Sequence, residues 1–211
     1  MIYRYFLKLL SGMKTILKKE IYYNYRIKDL KKRGLKIGKD VYVGPYVEFD
    51  HQYPFLIEIQ DHCRITAGTL ILAHDATTFR KLGVTRLAKV TIREGTFIGA
   101  NCIILPGCTI GPNVMIAAGS VVNRDIGEGM MAAGNPARPY GKYEDLHGKY
   151  EEMMKTCPIF DYDAFLRGEV LPSAVGEAVD TNSVAFICGP RKIRTWIDKI
   201  MGRRQDYEWV G

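Results

Sequence analysis

A mainly β fold, built as a solenoid of very short parallel strands, is predicted for this 211-residue chain by three observations. Stepping by six from Ile92 meets Ile98, Ile104, Ile110, Ile116 and Val122 without exception. The column two places earlier reads Val90, Thr96, Cys102, Cys108, Val114 and Ser120, all small or β-branched. Gly, Asn and Pro crowd the intervening turns, as at Gly95, Asn101, Pro106, Gly107, Pro112, Asn113 and Gly119. A period of six suits neither an amphipathic helix nor a hairpin pattern. It suits strands that each end in a tight corner, three to a triangular coil, with coils stacked at the ~4.8 Å interstrand spacing and the recurrent Ile forming ladders inside.

Upstream, Ile37 and Val43 keep the period, as do Ile59, Ile65 and Ile71. Two insertions interrupt it, a short one at 50–56 and a longer one at 75–89. The period therefore runs from Leu35 to Val122, within a domain expected over 35–140. Residues 1–34 read as an N-terminal helical segment, because Ile2, Phe6, Leu9, Met13 and Leu17 follow a helical stripe flanked by Lys8, Lys14 and Lys18. Two roles compete for it: a cap over the open end of the solenoid, which repeat folds need, and a basic amphipathic helix lying on an anionic membrane surface. Residues 141–211 form a C-terminal appendage, with a short helix at 144–155, no clear period over 157–189 and a basic helix at 190–201.

Composition narrows the function classes. At 47% hydrophobic and 25% charged residues, the chain can bury a core. Five Cys make no disulfide framework, and neither a signal segment nor a long apolar run is apparent, so the reducing cytoplasm is the expected compartment. The net charge of +7 is uneven: residues 1–36 carry +9, residues 37–190 carry −5 and residues 191–204 carry +5. The basic charge lies outside the repeat, and no nucleic-acid-binding motif accompanies it, so nucleic acid is not an expected partner.

Of the four His, His74 is singled out by position, since Ile71-Leu72-Ala73-His74-Asp75 ends a rung and opens the longer insertion. On placement alone, a lone His there reads as a hydrogen-bonded structural residue. His62, three residues past the inward Ile59, is expected in an exposed turn. No two His are five residues apart and no CxxC pair occurs, so no metal site is expected. Ser120, in the inward column, is a poor candidate for a covalent intermediate.

The stretch from Ile92 to Arg138, with IGANCIILPGCTIGPNVMIAAGSVVNRDI and AAGNPAR, and the ILAHD at 71–75 resemble the hexapeptide-repeat acyltransferases, in particular the C-terminal half of the galactoside and maltose O-acetyltransferases. The resemblance covers about 35–140. It implies a left-handed parallel β-helix, an exception to the usual crossover hand, with α-helical appendages. It implies acetyl-CoA as co-substrate, no permanently bound cofactor, and a saccharide hydroxyl as acceptor on a surface polysaccharide, nucleotide sugar or lipid-linked sugar. An amino sugar or a xenobiotic is the alternative acceptor, and a non-catalytic β-helix scaffold the alternative of another class. It also implies His74 as general base, a role that neutral imidazole suits near pH 7. Asp50 and Glu48 stand where the relatives carry an acceptor-site Asn, and with Asp75 they are candidates to orient the acceptor or His74. Ala100 and Ala118, 18 residues apart, match donor-lining positions; Asn123, Arg124 and Arg138 match positions near the distal part of the donor, where Arg suits phosphate. A homotrimer, with the donor site between subunits and the 75–89 insertion crossing the boundary, completes the expectation.

Overall fold

The computed structural model describes residues 26–188, and the chain divides into two compact units between Tyr143 and Glu144. The stripe over residues 2–17 and the basic helix over 190–201 lie outside the described residues.

The first unit begins with a helix, α1 (26–32), whose Leu30 is buried in the same core cluster as the coil that follows. The first coil consists of β1 (Lys36–Ile37), β2 (Tyr42–Val43) and β3 (Glu48–Phe49), and the second of β4 (Ile57–Ile59), β5 (Arg64–Ile65) and β6 (Leu70–Ile71). A hairpin of β7 (His74–Asp75) and β8 (Arg86–Leu87), with the short α2 (Phe79–Leu82) at its tip, separates these from the third coil. That coil is β9 (Val90–Ile92), β10 (Phe97–Ile98) and β11 (Ile103–Ile104); the fourth is β12 (Thr109–Ile110), β13 (Met115–Ile116) and β14 (Val121–Val122). The strands stack in parallel on three faces: β1-β4-β9-β12 (face A), β2-β5-β10-β13 (face B, extended by β15, Met130–Gly134) and β3-β6-β11-β14 (face C). An antiparallel strand, β16 (Ala137–Lys142), closes face B.

Register accounts for both insertions. Thr91 pairs with Thr109, Phe97 with Met115 and Ile103 with Val121, each 18 residues on. Between the first two coils the step is 22, as Glu48 pairs with Leu70, so 50–56 adds four residues. Between the second and third it is 33, as Ile59 pairs with Ile92, so the hairpin adds fifteen.

The two columns read from the sequence both face inward. Ile92, Ile98, Ile104, Ile110, Ile116 and Val122 are fully buried, and Val90, Thr96, Cys102, Cys108, Val114 and Ser120 are no more than 1% exposed. Burial pushes the Cys63 and Cys108 thiols up to about 11, which keeps them protonated and inert. A third column explains the turn composition: Gly95, Asn101, Gly107, Asn113 and Gly119, six apart, all have positive φ. Glycine and asparagine are the residues that enter that region at least cost. The outward residue of each rung sets the faces' character. Face A presents Lys36, Glu58, Thr91 and Thr109; face B presents Tyr42, Arg64, Phe97 and Met115; face C presents Glu48, Leu70, Ile103 and Val121.

The second unit has its own small core of Phe160, Ala164 and Val170. Helix α3 (Tyr143–Met154) leads to β17 (Ile159–Asp161), α4 (Tyr162–Leu166), α5 (Pro172–Asn182) and β18 (Phe186–Cys188), which pairs with β17 in parallel. The region without sequence period therefore holds short helices and a two-stranded sheet. Their local signals are an Asp161 side chain accepting from Ala164 N–H at 2.9 Å and a proline at the start of α5. No described helix is long and apolar enough to cross a membrane.

Candidate active site

His74 opens the hairpin at the corner where the chain leaves face C. Its backbone is fixed on both sides, by the pairing of β7 with β8 and by Ala88 N–H donating to Ala73 C=O at 3.0 Å. The partner strand is held in turn by Arg86, whose guanidinium donates to Pro106 C=O at 3.0 Å.

Across the corner stands Asp50. The pairing of Phe49 with Ile71 and the bond from Asp50 N–H to Ile71 C=O (2.8 Å) bring it beside the end of β6. The residue is only 3% exposed, and its carboxylate is surrounded by donors. Oδ2 accepts from His74 Nδ1 and from Ala73 N–H (3.0 Å); Oδ1 accepts from Gln52 N–H (3.0 Å) and Tyr53 N–H (3.2 Å). Burial opposes ionisation, but the bonds from His74, Ala73, Tyr53 and Gln52 outweigh it, so the carboxyl lies below its usual range. An ionised Asp50 takes the Nδ1 proton as a hydrogen-bond acceptor and leaves Nε2 with its lone pair. The imidazole side chain is 26% exposed, and among the described residues Nε2 takes no hydrogen bond. The Tyr53 ring lies 5.3 Å from the imidazole.

The other two acidic candidates are engaged elsewhere. Glu48 forms a two-pronged ion pair with Arg26 and lies 3.3 Å from His51 Nε2; the Arg26 bonds chiefly hold its carboxyl below the usual range. Asp75 Oδ1 accepts from Thr77 N–H at 2.9 Å and closes its own turn. Neither hydrogen-bonds the imidazole. Asp50 does, and its two oxygens together accept four hydrogen bonds. His62 is exposed in a left-handed turn and meets Asp40 at 3.2 Å.

Ala100 and Ala118 sit one above the other at the corner between faces B and C, where Gly119 N–H donates to Ala100 C=O at 2.8 Å. Gly99 has no room for a side chain, since a Cβ would lie 2.4 Å from Ala118 N. The result is a narrow ledge of small residues and backbone. Arg138 Nη1 meets Asn123 Oδ1 at 3.4 Å, and both side chains are exposed. Arg124, on the same turn as Asn123, is exposed and has no ion pair among the described residues. Among the described residues no group of three His, Cys, Asp or Glu has the geometry to hold a metal ion. A cavity of about 770 Å³ lined by Lys31, Lys36, Glu58 and Asp61 lies on face A and includes neither His74 nor Asp50.

Sequence reasoning missed Tyr53, Arg26 and Arg33. Arg33 donates to His51 C=O and, with Arg26, ties α1 to the turn around Asp50. Their spacing, seven residues apart across α1 and the turn that ends it, was the available signal.

The repeat architecture has a counterpart among known proteins. Residues 89–124 match the family described as bacterial transferase hexapeptide (six repeats). Protein CapG of Staphylococcus aureus is 34% identical over 148 residues, which cover 66% of this chain and 84% of that protein. The chain belongs to the hexapeptide-repeat transferase family. A galactoside O-acetyltransferase of Lactococcus lactis is 31% identical over 146 residues, covering 69% of this chain and 60% of that enzyme. Among solved structures, a maltose O-acetyltransferase from Clostridium difficile 630 is 28% identical with a TM-score of 0.44, over 57% of this chain and 75% of that one. Three further curated relatives are matched over 66%, 55% and 52% of their own length, so the chain spans less than two thirds of them.

Proposed function

We propose that this chain is an acetyl-CoA-dependent O-acetyltransferase acting on a saccharide hydroxyl, with His74 as general base and Asp50 as its positioning residue. The observation that carries the reading is the Asp50–His74 pair, a buried carboxylate with four donors that holds the proton on Nδ1 and leaves Nε2 free to accept one. Similarity to a galactoside O-acetyltransferase supports a sugar hydroxyl as acceptor. The winding of the coil is left-handed in this reading, following the resemblance.

In the reaction the acceptor oxygen attacks the thioester carbonyl while Nε2 removes its proton. As the tetrahedral intermediate collapses, the carbon–sulfur bond breaks, and the imidazolium returns the proton to the departing thiolate. Asp50 remains ionised throughout and stabilises the imidazolium. No covalent enzyme intermediate is required. An acceptor screen with mass-spectrometric detection of acetylated product, keeping sugar hydroxyls and amines apart, tests the assignment; transfer confined to amines overturns it.

The ledge at Ala100 and Ala118 suits a pantetheine arm, with Asn123, Arg124 and Arg138 near the nucleotide phosphates. Removing a phosphate contact made equally in ground and transition states raises KM and spares kcat. Arg138→Ala and Arg124→Ala are therefore each expected to weaken acetyl-CoA use by roughly 10–150-fold in KM, and to leave acetyl-pantetheine, which lacks those phosphates, little changed. Equal losses with both donors would reassign the two Arg to structure.

The ledge lies on the edge between faces B and C, whereas His74 lies on the edge between C and A. A donor laid on one edge meets the base of another copy when coils pack side by side. The apolar outward residues of faces B and C, against the polar face A, supply the contact surface. Cyclic closure of three such copies gives a homotrimer. Light scattering at micromolar concentration should return three times the chain mass of 23.9 kDa; a monomer mass would exclude the shared site.

A further inference from the structure

We infer that the acceptor is an oligosaccharide of at least two rings, and that Tyr53 and Phe55 hold the ring next to the one being acetylated; this rests on the function proposed above. The four-residue excess between the first and second coils carries the inference. An 18-residue coil needs no such addition, and here it builds the short 3-10 turn Pro54–Leu56 beside the base. It brings two aromatic rings into a chain of contacts with the base. The Tyr53 ring lies 5.3 Å from that of His74, and the Phe55 ring lies 6.3 Å from that of Tyr53, nearly perpendicular to it at 77°.

The two aromatic residues differ in a way that packing alone does not explain. Tyr53 is half-buried against the core and its N–H serves Asp50. Phe55 is 55% exposed, yet its backbone is pinned. Gly34, with φ +101°, approaches so closely that a Cβ there would lie 2.6 Å from Phe55 Cβ. A large apolar ring is thus presented to solvent from a closely packed stretch of backbone, two ring contacts from the proposed base. The apolar C–H face of a pyranose covers such a ring, while its hydroxyls meet polar side chains. Gln52, exposed on the same turn, supplies one. A single-ring acceptor seated at His74 would leave Phe55 uncovered.

The test is transfer kinetics across a defined glycan library of mono-, di-, tri- and tetrasaccharides, using acetyl-CoA as donor and wild-type and Phe55→Ala proteins. Alanine keeps the Cβ that packs on Gly34, and thermal melting checks the fold. Among saccharides that share the acetylated terminal ring, kcat/KM should rise about tenfold, the worth of one good contact, from one ring to two. In Phe55→Ala that ratio should fall to near unity. A best acceptor with a single ring, or a length dependence that survives Phe55→Ala, overturns the inference while leaving the proposed activity standing. No transfer to any library member overturns that activity and this inference with it.

Discussion

His74→Ala is expected to lose roughly 10²–10⁴-fold in acetyl transfer, the usual contribution of a positioned general base, while its circular dichroism stays that of the wild type. The fold should survive because the imidazole lies outside the Ile and small-residue ladders and is part of neither core cluster. Loss should appear in kcat with little change in KM for acetyl-CoA, since the ledge at Ala100 and Ala118 lies on another edge of the coil. A variant that keeps more than about a third of the wild-type rate would remove His74 from the role of base.

Asp50→Asn is expected to have the second-largest effect, again on the order of 10² or more in kcat, for a different reason. Each carboxylate oxygen accepts two hydrogen bonds, and an amide replaces one of those oxygens with a donor. An NH₂ turned towards Nδ1 favours the tautomer that carries its proton on Nε2, where the base needs a lone pair. An NH₂ turned the other way faces the N–H groups of Gln52 and Tyr53 and leaves them unpaired, at about 1–3 kcal/mol. The variant should therefore melt lower and turn over slowly, with donor affinity spared.

The pH dependence of stability separates the two effects. Asp50 has a folded pKa below that of the unfolded chain. Its contribution is fully present above the ordinary carboxylate value of about 3.9 and is lost as pH falls through the depressed folded value. Wild type should lose stability over that acidic range more steeply than Asp50→Asn. Parallel acid melting curves for the two proteins would mean that Asp50 is not held ionised by the fold.

How much of this was legible beforehand follows from what each feature rests on. The coil was legible because three independent columns repeat every six residues: Ile inside, a small residue two places before it, and Gly or Asn where φ must be positive. His74 stood out because it ends a rung. The choice among Asp50, Glu48 and Asp75 was not legible, because the four extra residues after Phe49 hide the register. Once Phe49 is set against Ile71, Asp50 falls next to the residues leading to His74, and Glu48 becomes the outward residue of its rung. Tyr53 and Phe55 were invisible for the same reason, being local to an insertion with no repeat to anchor it. The second unit was opaque because its strands and α4 are three to five residues long, too short for periodicity to register.

The proton on the His74 ring is the most direct test. In protein labelled with ¹⁵N only in histidine, with the His74 signals assigned by their loss in His74→Ala, the neutral ring should show Nδ1 protonated and hydrogen-bonded and Nε2 bare. In Asp50→Asn that preference should weaken or reverse. A wild-type neutral ring protonated on Nε2 would contradict the proposed mechanism, because the nitrogen assigned to take the acceptor's proton would already carry one.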